Sequence, residues 1–157
     1  GICYGMQMAI IEFARNICGL SANTTEVDVS CMHPVVDILD EQKLIVNKGG
    51  TMRRGAYPAI MKPGSVIHSL YGQHEVSERH RHRYEVNPKY HDLLLEKGMV
   101  FSGMSPDGRL VEFMELPNHP YFVGTQAHPE LKSNLLKPAP LFKGLVEAAL
   151  KFSEGRV

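Results

Sequence analysis

The feature that most constrains this chain is Gly1-Ile2-Cys3-Tyr4-Gly5 running directly into an apolar helical repeat. A Gly-x-Cys-x-Gly stretch at the start of a helix has the form of a strand-to-helix elbow. Its glycines let neighbouring backbone approach the turn without Cβ clashes. An elbow of this kind needs a strand before it and a helix after it, which points to an α/β architecture. The helix is expected from Met6, Ala9, Ile10, Phe13, Ala14 and Ile17 at helical spacing, with Gly19 as its stop. Gly1-Ile2-Cys3 then reads as the last part of a strand that begins earlier, and the chain as a piece of something longer.

Further along, residues 20–25 are small and polar and suit a loop, and a short strand is expected over 33–39. Residues 42–72 are punctuated by Gly49-Gly50, Pro58 and Pro63-Gly64, which predicts short strands and turns. Between 79 and 86 the residues alternate. His80, His82, Tyr84 and Val86 fall on one face of a strand, and Arg79, Arg81, Arg83 and Glu85 on the other. Asn87-Pro88 has the form of a helix cap, for a helix carrying Tyr90, Leu93 and Leu94 and ending at Gly98. Pro106-Asp107-Gly108 between two apolar runs predicts a hairpin, 121–126 a short strand, and Phe142, Leu145, Val146, Ala149 and Leu150 a last helix. The expected fold is one α/β unit with a mainly parallel sheet and an antiparallel excursion.

Composition narrows the function. Of 157 residues 43% are apolar and 22% charged, a globular balance, and 17 basic residues offset 17 acidic ones. A neutral chain argues against a broad nucleic-acid or anionic-membrane surface. No apolar run reaches the ~18 residues of a membrane span. Cys3, Cys18 and Cys31 cannot all pair with one another, and a reducing intracellular compartment is the better reading. Arg79, Arg81 and Arg83 without surrounding lysines make a poor nucleic-acid patch. His80 and His82 share a strand face but lack a third ligand at zinc spacing, so no metal site is expected and they read as surface or core-edge histidines.

The elbow would present Cys3 at a helix N-terminus. There the dipole and free N–H groups favour a thiolate and lower a pKa that is ordinarily ~8.5. The N–H of Tyr4 would face a developing oxyanion. The competing reading is a buried cysteine in a tight turn. A cysteine nucleophile needs a base, and the base an orienter. His128-Pro129-Glu130 follows the 121–126 strand, and in an extended stretch residues two apart point the same way, so Glu130 could hold one nitrogen of His128 while the other faces Cys3.

Gly1-Ile2-Cys3-Tyr4-Gly5-Met6-Gln7 and the late His128-Pro129-Glu130 resemble class I glutamine amidotransferases, which release ammonia from glutamine with a Cys-His-Glu triad. Three further stretches resemble the branch of that family whose glutaminase domain serves an amidoligase (synthase) domain. They are Asn23-Thr24-Thr25-Glu26, Gly49-Gly50-Thr51-Met52-Arg53-Arg54-Gly55, and residues 78–87, Glu-Arg-His-Arg-His-Arg-Tyr-Glu-Val-Asn. The likeness runs over essentially the whole chain, and the Arg-His run is far more specific than the triad. It implies a flavodoxin-like amidotransferase fold, mainly parallel and flanked by helices, here without its N-terminal strands. Residues 1–157 would form the C-terminal part of one glutamine amidotransferase domain.

The same likeness implies roles. Cys3 attacks the side-chain amide of L-glutamine, His128 carries protons and Glu130 orients it. Tyr4, Gly5, Met6 and Gln7 wall the bound glutamine, Glu26 meets its α-amino group and Arg83 its carboxylate. One anion and one cation suit a zwitterion. Tyr4 departs from the smaller apolar residue common in the family, but the oxyanion needs only its backbone N–H. The ammonia would serve ATP-dependent amination of UTP to CTP, in pyrimidine nucleotide biosynthesis. No cofactor is expected in this domain; ATP and Mg2+ belong to the synthase domain of the same polypeptide, with GTP as activator. A cytoplasmic homotetramer is expected, with no nucleic acid or membrane partner. Without the upstream loop that carries a second oxyanion donor, these residues alone are expected to be inactive. The alternatives are a non-catalytic amidotransferase-like binding or regulatory module, and a related thiol hydrolase acting on γ-glutamyl compounds.

Overall fold

The structure, a computed structural model, describes residues 1–39 and 52–155. In chain order it holds α1 (Tyr4–Asn16), β1 (Ala22–Thr24), β2 (His33–Asp37), β3 (Arg53–Met61), α2 (Val66–Tyr71), β4 (Glu75–His82) and β5 (Glu85–Val86). A 3-10 turn (Pro88–Tyr90) leads into α3 (His91–Glu96), then β6 (Val100–Met104), β7 (Val111–Glu115) and β8 (Val123–Thr125). A second 3-10 turn (Pro129–Leu131) precedes α4 (Pro140–Ser153). The strands form a five-stranded sheet, β4-β3-β6-β7-β8, and a three-stranded one, β1-β2-β5.

Pairing in the larger sheet is antiparallel throughout. Among the described residues the parallel pairing expected of this fold is confined to β1–β2 and to the Ile2–Thr125 bridge. Apolar periodicity carries no strand direction. Direction comes from the connections, and the hairpin around Pro106-Asp107-Gly108 and the short β3–α2–β4 return both reverse the chain.

The apolar face of α1 packs Met6, Ile10, Phe13 and Ala14 against Val35, Val36, Val86, Val111 and Met114. Ile17, expected on that face, is exposed, and Ile11 is buried instead. A second cluster joins Ala59, Met61, Ile67, Val76, Phe113 and Leu141 under α2 and α4. The two clusters lie under different helices, so the sheet is covered as an α/β layer requires. No helix among the described residues is long and apolar enough to cross a membrane.

Three expectations are corrected. Residues 20–25 are not all loop, because Ala22, Asn23 and Thr24 pair with β2 and Thr24 is fully buried. The 42–72 region does not break into short strands at Pro58; β3 runs through it for nine residues. A proline is tolerated there because β6 joins β3 only at Ile60 and Met61, so Pro58 faces no third strand. Pro63-Gly64 then turns into α2, whose first turn is capped by Ser65 Oγ accepting from the His68 N–H at 3.0 Å. Gly49, Gly50 and Thr51 lie outside the described residues. Finally, α4 forms as expected, yet it buries Leu141 and Gly144, while Leu145, Val146 and Leu150 stand more than half exposed.

Gly124 in β8 lets α1 sit close: a Cβ there would come 2.8 Å from Met6 Cγ and 3.0 Å from Met114 Sδ. Gly124→Val is therefore expected to lower stability by about 1–3 kcal/mol through overpacking. Gly5→Ala, whose Cβ would meet open space, is expected to change it by no more than ~0.5 kcal/mol. Urea unfolding of the two variants checks the pair, and equal losses would contradict the packing account.

Candidate active site

Three main-chain hydrogen bonds lay the first residues alongside β8. The Gly1 nitrogen donates to Val123 O at 3.0 Å, Thr125 N–H to Gly1 O at 2.9 Å, and Cys3 N–H to Thr125 O at 2.7 Å. The chain then turns sharply, with Gly5 N–H donating to Ile2 O at 2.8 Å, and enters α1. Cys3, at the corner, has φ 49° and ψ −105° and is the one non-glycine with positive φ among the described residues. Such strain persists only where surrounding structure holds it. Here the β8 bonds hold one side and α1 the other.

Cys3 is half-buried, and burial pushes its thiol above the ordinary value. Hydrogen bonds from the Tyr4 N–H and the Gln126 side chain oppose that, whereas the charges of Glu130 and Glu85 add to it. The lowered thiol pKa expected from the helix N-terminus is thus corrected: desolvation outweighs the donors. A thiol held protonated at rest has to give up its proton to a base when it attacks.

The same β8 strand leads to His128, the residue expected in that role. Past Thr125, Ala127 N–H donates to Thr125 Oγ1 at 3.1 Å, and His128 N–H to Arg79 O on β4 at 2.7 Å. His128 Nδ1 lies 2.6 Å from Glu130 Oε1, so Nε2 is the nitrogen left for other work. The pair forms by a different route from the extended stretch expected. Pro129 opens a 3-10 turn, and the turn folds Glu130 back onto the imidazole. Lys132 fastens the far side of the turn, donating to Ser77 O at 2.6 Å.

A cavity of about 530 Å³ is lined by Cys3, Tyr4, Gln7, Glu26 and Arg83, with Met52, Arg81, His82 and Tyr84 completing the wall. The structure therefore gathers most of the residues singled out from sequence. Gly5, Met6, His128 and Glu130 do not line this cavity. Met6 is fully buried in the core, and Gly5 lies exposed in the first turn of α1. Gln7 is also buried; its Nε2 donates to Tyr84 O at 2.9 Å and to Gln126 Oε1 at 3.1 Å. Among the described residues no three of His, Cys, Asp and Glu converge as metal ligands.

Behind the cavity lies a buried polar cluster that periodicity did not disclose. Arg53 donates to Glu85 Oε1 at 3.1 Å and to Glu112 Oε1 at 2.8 Å, with Tyr57 stacked on its guanidinium at 4.5 Å. His80 Nδ1 meets His82 Nε2 at 2.9 Å, and His82 Nδ1 meets Tyr84 O at 3.0 Å. A carbonyl only accepts, so His82 Nδ1 carries hydrogen, His80 Nδ1 donates to His82, and His80 Nε2 faces Glu112 Oε2, 3.5 Å away, as an acceptor. Both histidines are buried rather than at the surface, and burial with the Arg53 charge lowers each to about 3. Burial raises Glu85 to about 8 against the pull of Arg53, and raises Glu112 as well. Glu85 does not share the solvent face of Arg79 and Arg81. β4 ends at His82, a bend follows, and Glu85 enters the smaller sheet with its side chain turned inward.

A family model for glutamine amidotransferase class-I matches residues 1–148. The chain is 60% identical over 151 residues to CTP synthase of Methanococcus maripaludis, and 62% identical over 151 residues to CTP synthase of Methanocaldococcus jannaschii. Each match covers 96% of this chain and 28% of the relative, so the chain spans little more than a quarter of their length. The solved glutaminase domain of Trypanosoma brucei CTPS, with acivicin bound, superposes with a TM-score of 0.89 at 36% identity. That match covers 96% of this chain and 59% of the other.

The buried cluster makes stability depend on pH in two opposed ways. Glu85, raised from 4.5 to about 8, contributes stability that is whole below pH 4.5 and lost as pH rises to about 8. His80 and His82, lowered from 6.5 to about 3, contribute stability that is whole above pH 6.5 and lost as pH falls toward 3. Among these three groups only Glu85 still titrates between 6.5 and 8. The thermal midpoint is expected to fall across that window, and Glu85→Gln to remove most of the fall. An unchanged slope in the variant would contradict the assignment.

Proposed function

The chain belongs to the class I glutamine amidotransferase family, and from that premise we propose that it is the catalytic part of a CTP synthase's glutaminase domain, hydrolysing L-glutamine through Cys3, His128 and Glu130. The observation that carries the reading is the pairing of Gly1–Cys3 with β8, which puts Cys3 beside Thr125, three residues before the His128 that pairs with Glu130. The cavity beside Cys3 adds the Glu26 carboxylate and Arg83 guanidinium that a zwitterionic amino acid calls for.

In this mechanism Cys3 Sγ attacks the side-chain amide carbon while its proton passes to His128 Nε2. Glu130 holds the Nδ1–H and stabilises the imidazolium. The Tyr4 N–H donates to the oxyanion. Collapse breaks the C–N bond, the nitrogen takes the proton from His128 and leaves as ammonia, and a thioester to Cys3 remains. A water then attacks the thioester, losing its proton to His128. Cleavage of the C–S bond frees glutamate, and the proton returns to the sulfur.

The exposed apolar side of α4 supports a longer domain, as does the share of the Trypanosoma domain that lies outside the match. On this reading upstream residues of that domain cover α4 and bring the second oxyanion donor; lacking one donor costs ~10²–10³ in rate, so residues 1–157 alone are inactive. The ammonia goes to a synthase domain of the same polypeptide that aminates UTP with ATP and Mg2+, activated by GTP in a tetramer. The glutaminase domain itself uses no cofactor.

A glutamine-shaped electrophile, applied to the full-length protein and traced by peptide mapping, is expected to label Cys3, with free glutamine suppressing the label. Label spread over Cys18 and Cys31, or no protection, would count against the proposal. Kinetics give a second check. His128→Asn should lower the glutaminase kcat by ~10²–10⁴-fold. Arg83→Lys, which loses the bidentate fork, should act mainly on KM for glutamine, raising it about tenfold.

A further inference from the structure

Gln126 follows β8, is fully buried, and has none of the roles given above to Cys3, His128 or Glu130. Its side-chain amide is oriented by a chain of hydrogen bonds whose polarity can be worked out. Tyr84 O only accepts, so the group that Gln7 presents to it at 2.9 Å is its NH2. The same NH2 lies 3.1 Å from Gln126, which must therefore answer with its carbonyl oxygen. That fixes the other end: the NH2 of Gln126 faces Cys3 Sγ at 3.6 Å.

We propose that Gln126 is a positioning residue for the nucleophile, its side-chain N–H holding the Cys3 sulfur at the elbow and favouring the thiolate. The inference rests on the reading of Cys3 as the nucleophile. Two donors reach this sulfur, and they differ in what happens to them during reaction. The Tyr4 N–H is needed by the oxyanion once the bond to carbon forms. Gln126 has no such second task and stays with the sulfur through attack and departure. Through Gln7 it is also tied to Tyr84, the residue after Arg83, so the sulfur and the bend that carries Arg83 share one hydrogen-bonded frame.

The test is the pH dependence of Cys3 alkylation by iodoacetamide in the full-length protein, followed by peptide mass. The groups lining the cavity with the sulfur are Tyr4 on α1, Glu26 after β1, and Arg81, His82, Arg83 and Tyr84 at and just past the end of β4, while the charges of Glu130 on the 3-10 turn and of Glu85 also act on it. All of them are retained in the variants. Gln126→Glu fills the same volume and can still accept from Gln7, but presents an acceptor to the sulfur. It is expected to move the alkylation midpoint up by about one pH unit, making labelling about tenfold slower below the midpoint, with the limiting rate at high pH unchanged. Gln126→Leu should shift it in the same direction by less. Gln7→Met, which keeps Gln126 but frees its carbonyl, should give a smaller upward shift still, and decides the matter if the Gln126 variants fail to fold. Midpoints equal to that of the unsubstituted protein in the folded variants would overturn the proposal. Because iodoacetamide needs no glutamine site, such a result would leave the glutaminase reading standing. Loss of glutamine protection with the midpoint shift intact would do the reverse.

Discussion

Everything at this site depends on one short piece of parallel pairing, the three bonds that join Gly1 and Cys3 to Val123 and Thr125. Cys3 and His128 are far apart in sequence, and no local preference can bring them together. The pairing sets Cys3 beside Thr125, three residues before His128, with main-chain geometry alone, which no side-chain rotamer can loosen. It also holds the strained corner at Cys3, because the residues on either side are fixed by β8 and by α1. Gly124 makes the arrangement possible by letting Met6 lie directly over the strand.

The buried ions behind the cavity are a second, costlier device. Two carboxylates, one guanidinium and two imidazoles are withdrawn from water around Arg53, and pairs of this kind are often less stabilising than an apolar core of equal volume. What the cluster supplies is position. His82 and Gln7 both end on Tyr84 O, so the bend carrying Arg83 is held from two sides. With both histidines neutral near pH 7 and Glu85 pushed up to about 8, the cluster keeps its charge low in a place where unpaired charge would be expensive.

The elements that could be read from sequence were those with a clean period or a fixed punctuation mark. The helix after the elbow, the alternation of β4 and the Asp107-Gly108 hairpin all follow from such signals, as does the Asn87 cap. The elbow itself and the His128–Glu130 pair were legible because their spacing carries the geometry, though the pair is made by a 3-10 turn rather than by extended backbone. Arg53 was not legible. Its partners are 32 and 59 residues away on other strands, and nothing in its neighbourhood announces them. Glu85 faces the core and not solvent because a bend follows His82, and a period-two pattern does not reveal a bend. Gln126 carries no signal at all, since its meaning depends on which way two amides point. The thiol pKa differs from expectation for a physical reason: a helix N-terminus is visible in sequence, whereas the depth at which the sulfur sits is not.

The most direct test of the account is a crystal structure of the full-length protein after reaction with a glutamine-shaped electrophile. The account predicts a carbon–sulfur bond at Cys3, His128 Nε2 within hydrogen-bond reach of the adduct with Nδ1 still on Glu130, the ligand's ammonium at Glu26 and its carboxylate at Arg83. An adduct on another cysteine, or one on Cys3 with the His128–Glu130 turn directed away from it, would contradict the account.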